Sequence, residues 1–83
     1  MTTGAEVKPS LGAAVEYRDT KGRSKAAWVI GTPGTTDGEL ACEPGELHLF
    51  IVSAAGQPYV RHHVLRHDAD EPLAGSGSWR PIT

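Results

Sequence analysis

The chain has 83 residues, 39% of them hydrophobic and 22% charged, with a formal net charge of −2. That length makes one domain with a lean core, burying roughly 60% of the surface its unfolded chain exposes. The slightly acidic balance argues against a generic nucleic-acid binder, whose domains are strongly basic, and the single cysteine, Cys42, excludes an internal disulfide and the zinc spacings built on cysteine pairs.

A secreted domain this small usually carries disulfide staples. The expected setting is therefore the cytosol, or a fold to which a partner or an oligomer adds stability. No apolar run nears the roughly 18 residues of a membrane span. The opening MTTGAEVKPS lacks the apolar stretch of a signal peptide. Neither secretion nor membrane insertion is expected. Ten Gly and six Pro mark frequent turns, the rhythm of a small barrel or sandwich.

In chain order, residues 1–10 read as a polar N-terminal arm or tail, and residues 11–83 as the barrel domain. Residues 11–19 alternate, with Ala13, Val15 and Tyr17 on one face, the pattern of a half-buried strand. Residues 19–23 form a hairpin loop in which Gly22 is free to take positive φ. Residues 25–32, KAAWVIGT, are the central strand. Their run from Ala26 to Ile30 is apolar on both faces, so it is expected to be covered on both sides or closed into a barrel.

Residues 31–45 are the longest irregular segment, an acidic loop carrying Asp37, Glu39 and Glu43. Residues 46–53 form a second strong strand, with Leu47, Leu49 and Ile51 opposite His48, Phe50 and Val52. Residues 59–66 form a fourth strand without a clean apolar face, which predicts an edge position or a bulge. Residues 78–82 close the chain as a short strand that Pro81 confines to an edge. Five short strands predict an all-β fold, a five-stranded SH3-like barrel with an OB-like barrel as the alternative.

The chemistry-bearing residues form no catalytic set. His62 and His63 should point to opposite faces, and His63 and His67 should stand roughly 13 Å apart along a strand, too far to share a metal ion. The acidic run after His67 lacks the Gly and Glu of a calcium loop. Cys42 lies among acidic residues that raise a thiol pKa, which marks it as inert. No G-x-S-x-G is present, and no acid–base pair can be named. The expectation is a protein without enzymatic activity, cofactor or metal.

Charge is unevenly spread. Arg18, Lys21, Arg23 and Lys25 surround Asp19, whereas Asp37, Glu39, Glu43 and Glu46 sit together. These are two solvated loops, or patches that pair head to tail between copies. The candidate partner contacts are Lys21, Arg23, Asp37, Glu39, Trp79 and Arg80. Trp79 is either the plug of the barrel end or an exposed anchor, since Trp and Arg dominate interface hot spots. Lys21, Arg23 and Lys25 also leave room for a nucleic-acid-binding or regulatory barrel.

The pattern Val15-x-Tyr17, Gly22, Ala26-Ala27-x-Val29, Leu47-x-Leu49-x-Ile51-Val52, Gly56, Val64, Asp68 and Gly77-Ser78-Trp79-x-Pro81 covers about residues 12–82. In these positions the chain resembles small uncharacterised SH3-like β-barrel proteins of actinobacterial phages and their hosts. Those relatives often end in a G-T-W-H-W-P-like stretch. This chain has Arg80 after its Trp and no second Trp there. The resemblance supplies no catalytic or binding residue. It implies a phage or prophage setting, in which such barrels serve as virion accessory, capsid-decoration or connector proteins bound to a capsid or tail protein.

Overall fold

The computed structural model describes residues 9–69 and 76–82. The expected arm, residues 1–10, lies outside the described residues except for its last two positions. Strands β1 (Ala14–Arg18), β2 (Ser24–Gly31), β3 (Glu46–Val52), β4 (Pro58–Arg66) and β5 (Ser78–Pro81) follow one another around a closed barrel. All pairings are antiparallel except β4 with β5. The fold is thus an all-β, five-stranded barrel.

Period-two alternation decides which side chains fill it. Val15 and Tyr17 from β1, Ala27 and Val29 from β2, Leu47, Leu49 and Ile51 from β3, Val64 from β4 and Trp79 from β5 form the core. Burial of Tyr17 pushes its phenol above the usual range, and Tyr59 adds to the rise. Trp79 is 2% exposed, and its indole N–H donates to the Gly45 carbonyl at 3.1 Å. It is the plug and not an exposed anchor, because its position on β5 faces inward over the end of the barrel.

The outer face of β2 is open. Ala26, Trp28 and Ile30 are exposed, so closure of the barrel, and not a second covering layer, accounts for the doubly apolar run. Nor is β5 an edge. It pairs with β1 from Ser78 to Pro81 and with β4 at Leu65↔Ser78 and Arg66↔Trp79. Pro81 is tolerated because β4 pairing has already stopped two residues before it.

The fourth strand carries the predicted irregularity. Leu47 faces Val64 while Leu49 faces Arg61, so His62 and His63 together oppose His48. This is a bulge with His63 in the left-handed region at φ 55°. Tyr59 and Val64 both pack toward the core although they stand five positions apart, an odd offset. A regular strand would send them to opposite faces, and the extra residue restores the inward phase.

Two tight turns set the geometry of the site. In the β1–β2 turn, Asp19 Oδ1 accepts the N–H groups of Lys21 and Arg23, each at 2.9 Å. Gly22 takes φ 81° and donates to the Asp19 carbonyl. In the β3–β4 turn, Ser53 N–H donates to the Gln57 carbonyl at 3.0 Å, with Gly56 at φ 85°.

Candidate functional site

β4 departs from β5 below Leu65, and a cleft of about 720 Å³ opens between its first half and the β1–β2 turn. Lys21, Arg23 and Lys25 line one wall and Arg61 the other, with Asp19 the carboxylate among them. Counting histidines as neutral, four cations against one anion give a local charge of +3 on a chain whose total is −2. Charges more than about 8 Å away are largely screened at physiological salt, so the local sign governs what enters.

Asp19 holds this wall in shape. Its carboxylate sits below the usual range, chiefly through the Arg23 N–H, and Lys25 Nζ lies 3.2 Å from Oδ2. Lys25 Nζ also donates to Tyr59 Oη at 3.1 Å, and that bond leads the rise of its ammonium pKa. The Arg61 guanidinium stacks 4.8 Å from the centre of the same ring. Among the described residues, the side chains of Lys21 and Arg23 make no ion pair or hydrogen bond, their backbone N–H groups alone meeting Asp19. Two cations are thus committed to Tyr59 and two are free to meet a ligand.

Beside the cleft, a histidine cluster pins the acidic loop. His48 is fully enclosed by β2, the loop and β4. Its Nδ1 accepts the His63 N–H at 3.1 Å and its Nε2 donates to the Leu40 carbonyl at 2.6 Å. This pairing fixes the neutral Nε2–H tautomer, since a backbone N–H needs a lone pair on Nδ1. His63 bonds Glu46 Oε1 and the Glu39 carbonyl with its two ring nitrogens, each at 3.0 Å. Two acceptors favour imidazolium, and Glu46 foremost raises its pKa. The rings of His62 and His63 both meet His48 edge-on, at 4.8 and 4.7 Å. The bulge therefore defeats the expectation that they point to opposite faces. Among the described residues, no group of three or more potential ligands could hold a metal ion. Cys42 lies 3.5 Å from His48 Nε2, yet burial, first of all, pushes its thiol up, with Glu46 adding to the rise. That environment is wrong for a nucleophile.

A third feature lies on the outer wall. Registers Ala14↔Trp28, Trp28↔Phe50 and Phe50↔Val60 align one apolar row across four strands. Trp28, Phe50 and Val60 are 39%, 37% and 39% exposed. Their open area is on the order of 250 Å², within what an ordinary monomer shows. The row is an unremarkable surface by area, and the basic cleft is the stronger candidate.

Of the residues singled out in the sequence, Lys21 and Arg23 come together in the cleft. Asp37 and Glu39 lie exposed around the short 3-10 turn Gly38–Leu40, outside the cleft walls. Trp79 belongs to the core, and Arg80 is half-buried with its guanidinium on Glu16 at 3.1 and 3.2 Å. Arg18 does not join the basic turn, because its side chain is buried and donates to the Ala69 carbonyl. Sequence reading missed Arg61, Tyr59 and His48. The mixed polarity of residues 59–66 was the available signal, since a strand without an apolar face must turn some side chains toward a cleft or a bulge.

Comparison with protein-family models, curated proteins and solved structures finds no match for this chain.

Proposed function

We propose that this chain is a non-enzymatic interaction protein, a small virion accessory of the capsid-decoration or connector type, that attaches to a larger assembly by seating an acidic segment of its partner in the basic cleft. The observation that carries the reading is the convergence of Lys21, Arg23, Lys25 and Arg61 on one cleft around a single carboxylate. The phage setting rests on the resemblance of residues 12–82. The Asp19-braced turn supports the binding role, because a wall ordered in advance spends less free energy on ordering when a ligand arrives.

The second reading, a nucleic-acid-binding or regulatory barrel, draws on the same four cations beside Tyr59. Two features favour a short acidic segment over a polynucleotide. Tyr59, the half-buried ring in the cleft, already carries Lys25 and Arg61 on it, which competes with base stacking. His63 lines the cleft and contacts Glu46, so the acidic loop borders the cleft and repels a phosphate chain running on beyond it.

The test is gentle fractionation of the source material with light scattering, for the native chain and for Arg23→Glu. Migration of the native chain with a megadalton particle at fixed stoichiometry, lost in Arg23→Glu, is the expected result. A native chain that runs alone as a monomer or dimer refutes the assembly role.

A further inference from the structure

The turn between β3 and β4 fixes which backbone groups of β4 face away from β3. Ser53 and Gln57 close the hairpin as a hydrogen-bonded pair. Bonded and non-bonded pairs alternate in an antiparallel ladder. The register then makes Val52↔Pro58 non-bonded, Ile51↔Tyr59 bonded, Phe50↔Val60 non-bonded and Leu49↔Arg61 bonded. The Pro58 carbonyl and both backbone groups of Val60 therefore point out of the sheet plane edge, away from β3 and into the cleft side. Pairing of β4 with β5 begins only at Leu65. Among the described residues, no backbone group of another strand meets this edge. Arg61 Nη1 donates to the Val60 carbonyl at 3.3 Å, a side chain standing where a ladder partner would.

We infer that the acidic segment binds as an added β-strand along the free edge of β4 from Pro58 to His62, its carboxylates reaching Lys21, Arg23 and Arg61. The inference rests on the cleft reading above and specifies how that cleft is filled. Three features select this occupant. An extended chain presents N–H and C=O groups at the spacing the edge requires, and edge addition is a recurrent mode of peptide recognition. Five residues at about 3.3 Å each span roughly 16 Å, a length matched to a short linear segment. Antiparallel pairing of this edge with that of a second copy, centred on Val60, would set the two Arg61 side chains diagonally on one face, roughly 7–8 Å apart, and like charges there disfavour that pairing. An acidic strand is the electrostatic complement, and it displaces Arg61 from the Val60 carbonyl onto a carboxylate.

The experiment uses the full chain and a fluorescein-labelled heptapeptide of alternating Glu and Val, read by anisotropy at low and high salt. Two further peptides carry N-methyl groups on alternate residues, one in each register. The expected result is salt-sensitive binding that weakens about tenfold or more for one methylated register and not for the other. Val60→Pro removes an edge donor without touching the β3 ladder, and it should weaken binding similarly. The methylated peptides decide the matter if that variant does not fold. Equal binding of both methylated peptides, with loss in Arg23→Glu, overturns the strand inference and leaves the cleft reading intact. No binding of the parent peptide overturns both. Displacement of the peptide by an oligothymidylate at lower concentration overturns both in favour of nucleic acid. Self-association abolished by Val60→Pro would assign the edge to a second copy and overturn the inference.

Discussion

Replacing Gly31 by Ala should unfold much of what holds the acidic loop. Gly31 ends β2 opposite His48, and a Cβ built there would lie 2.5 Å from His48 Cδ2 and 3.1 Å from its Cβ and Cγ. The imidazole cannot swing aside cheaply, because Leu40 and His63 hold both its nitrogens. Overpacking alone costs about 1–3 kcal/mol. Breaking one of the two hydrogen bonds adds about 1 kcal/mol. A loss of about 2–4 kcal/mol is a large part of the roughly 4–12 kcal/mol that a domain of this size holds. It should lower Tm by more than about 8 °C. The assay is urea and thermal unfolding of Gly31→Ala, His48→Ala and the double variant. In the double variant the added methyl meets a vacated space, so its cost should fall to within about 0.5 kcal/mol of zero on the His48→Ala background. If Gly31→Ala is neutral alone, or costs the same with and without the His48 ring, the packing account is refuted.

Two further outcomes follow from the same geometry. The His63 pKa is raised in the fold, so its contribution to stability is complete below the ordinary histidine value of 6.5 and disappears as pH rises through the folded value. Glu46 is lowered, by the Glu43 N–H first and His63 second, so its contribution is complete above 4.5 and disappears as pH falls through its folded value. Loop anchoring should therefore be strongest between about pH 4.5 and 6.5, and the urea midpoint of the native chain should fall above that window while His63→Gln flattens the fall. A native profile unchanged in His63→Gln would be the contrary result. Trp28→Phe leaves Trp79 as the one indole and should emit in the blue with little quenching by iodide, whereas Trp79→Phe, losing the bond to Gly45, should cost about 1–3 kcal/mol and emit in the red. Red emission from Trp28→Phe would contradict the burial of Trp79.

Strand existence was legible because Val15 and Tyr17, and Leu47, Leu49 and Ile51, repeat with period two and fill the core in that order. Gly22 and Gly56 marked turns because both take positive φ. What period two cannot encode is the phase shift inside β4, since nothing in Arg61-His62-His63-Val64 announces which residue will take the left-handed region. The side of β2 that faces water was equally hidden. Ala27 and Val29 face inward and Trp28 outward, although tryptophan is the more apolar side chain by area, and a run apolar on both faces does not specify that phase. The basic turn was visible as a charge run. The cleft was not, because its second wall comes from Tyr59 and Arg61, some forty residues away, and only the register of β3 with β4 carries them there.

The barrel is sewn shut by two residue pairs between β4 and β5, and that seam has a kinetic meaning. Strands β1 to β4 form a meander of neighbouring strands, whereas β5 must return to β1 across more than fifty residues. Closing a loop of that length costs entropy before any contact repays it. The meander should therefore assemble first and β5 dock last, carrying Trp79 into the end of a barrel whose walls already stand. Trp79 fluorescence then reports the final step of folding, and amide exchange at Ser78–Arg80 reports the first step of opening.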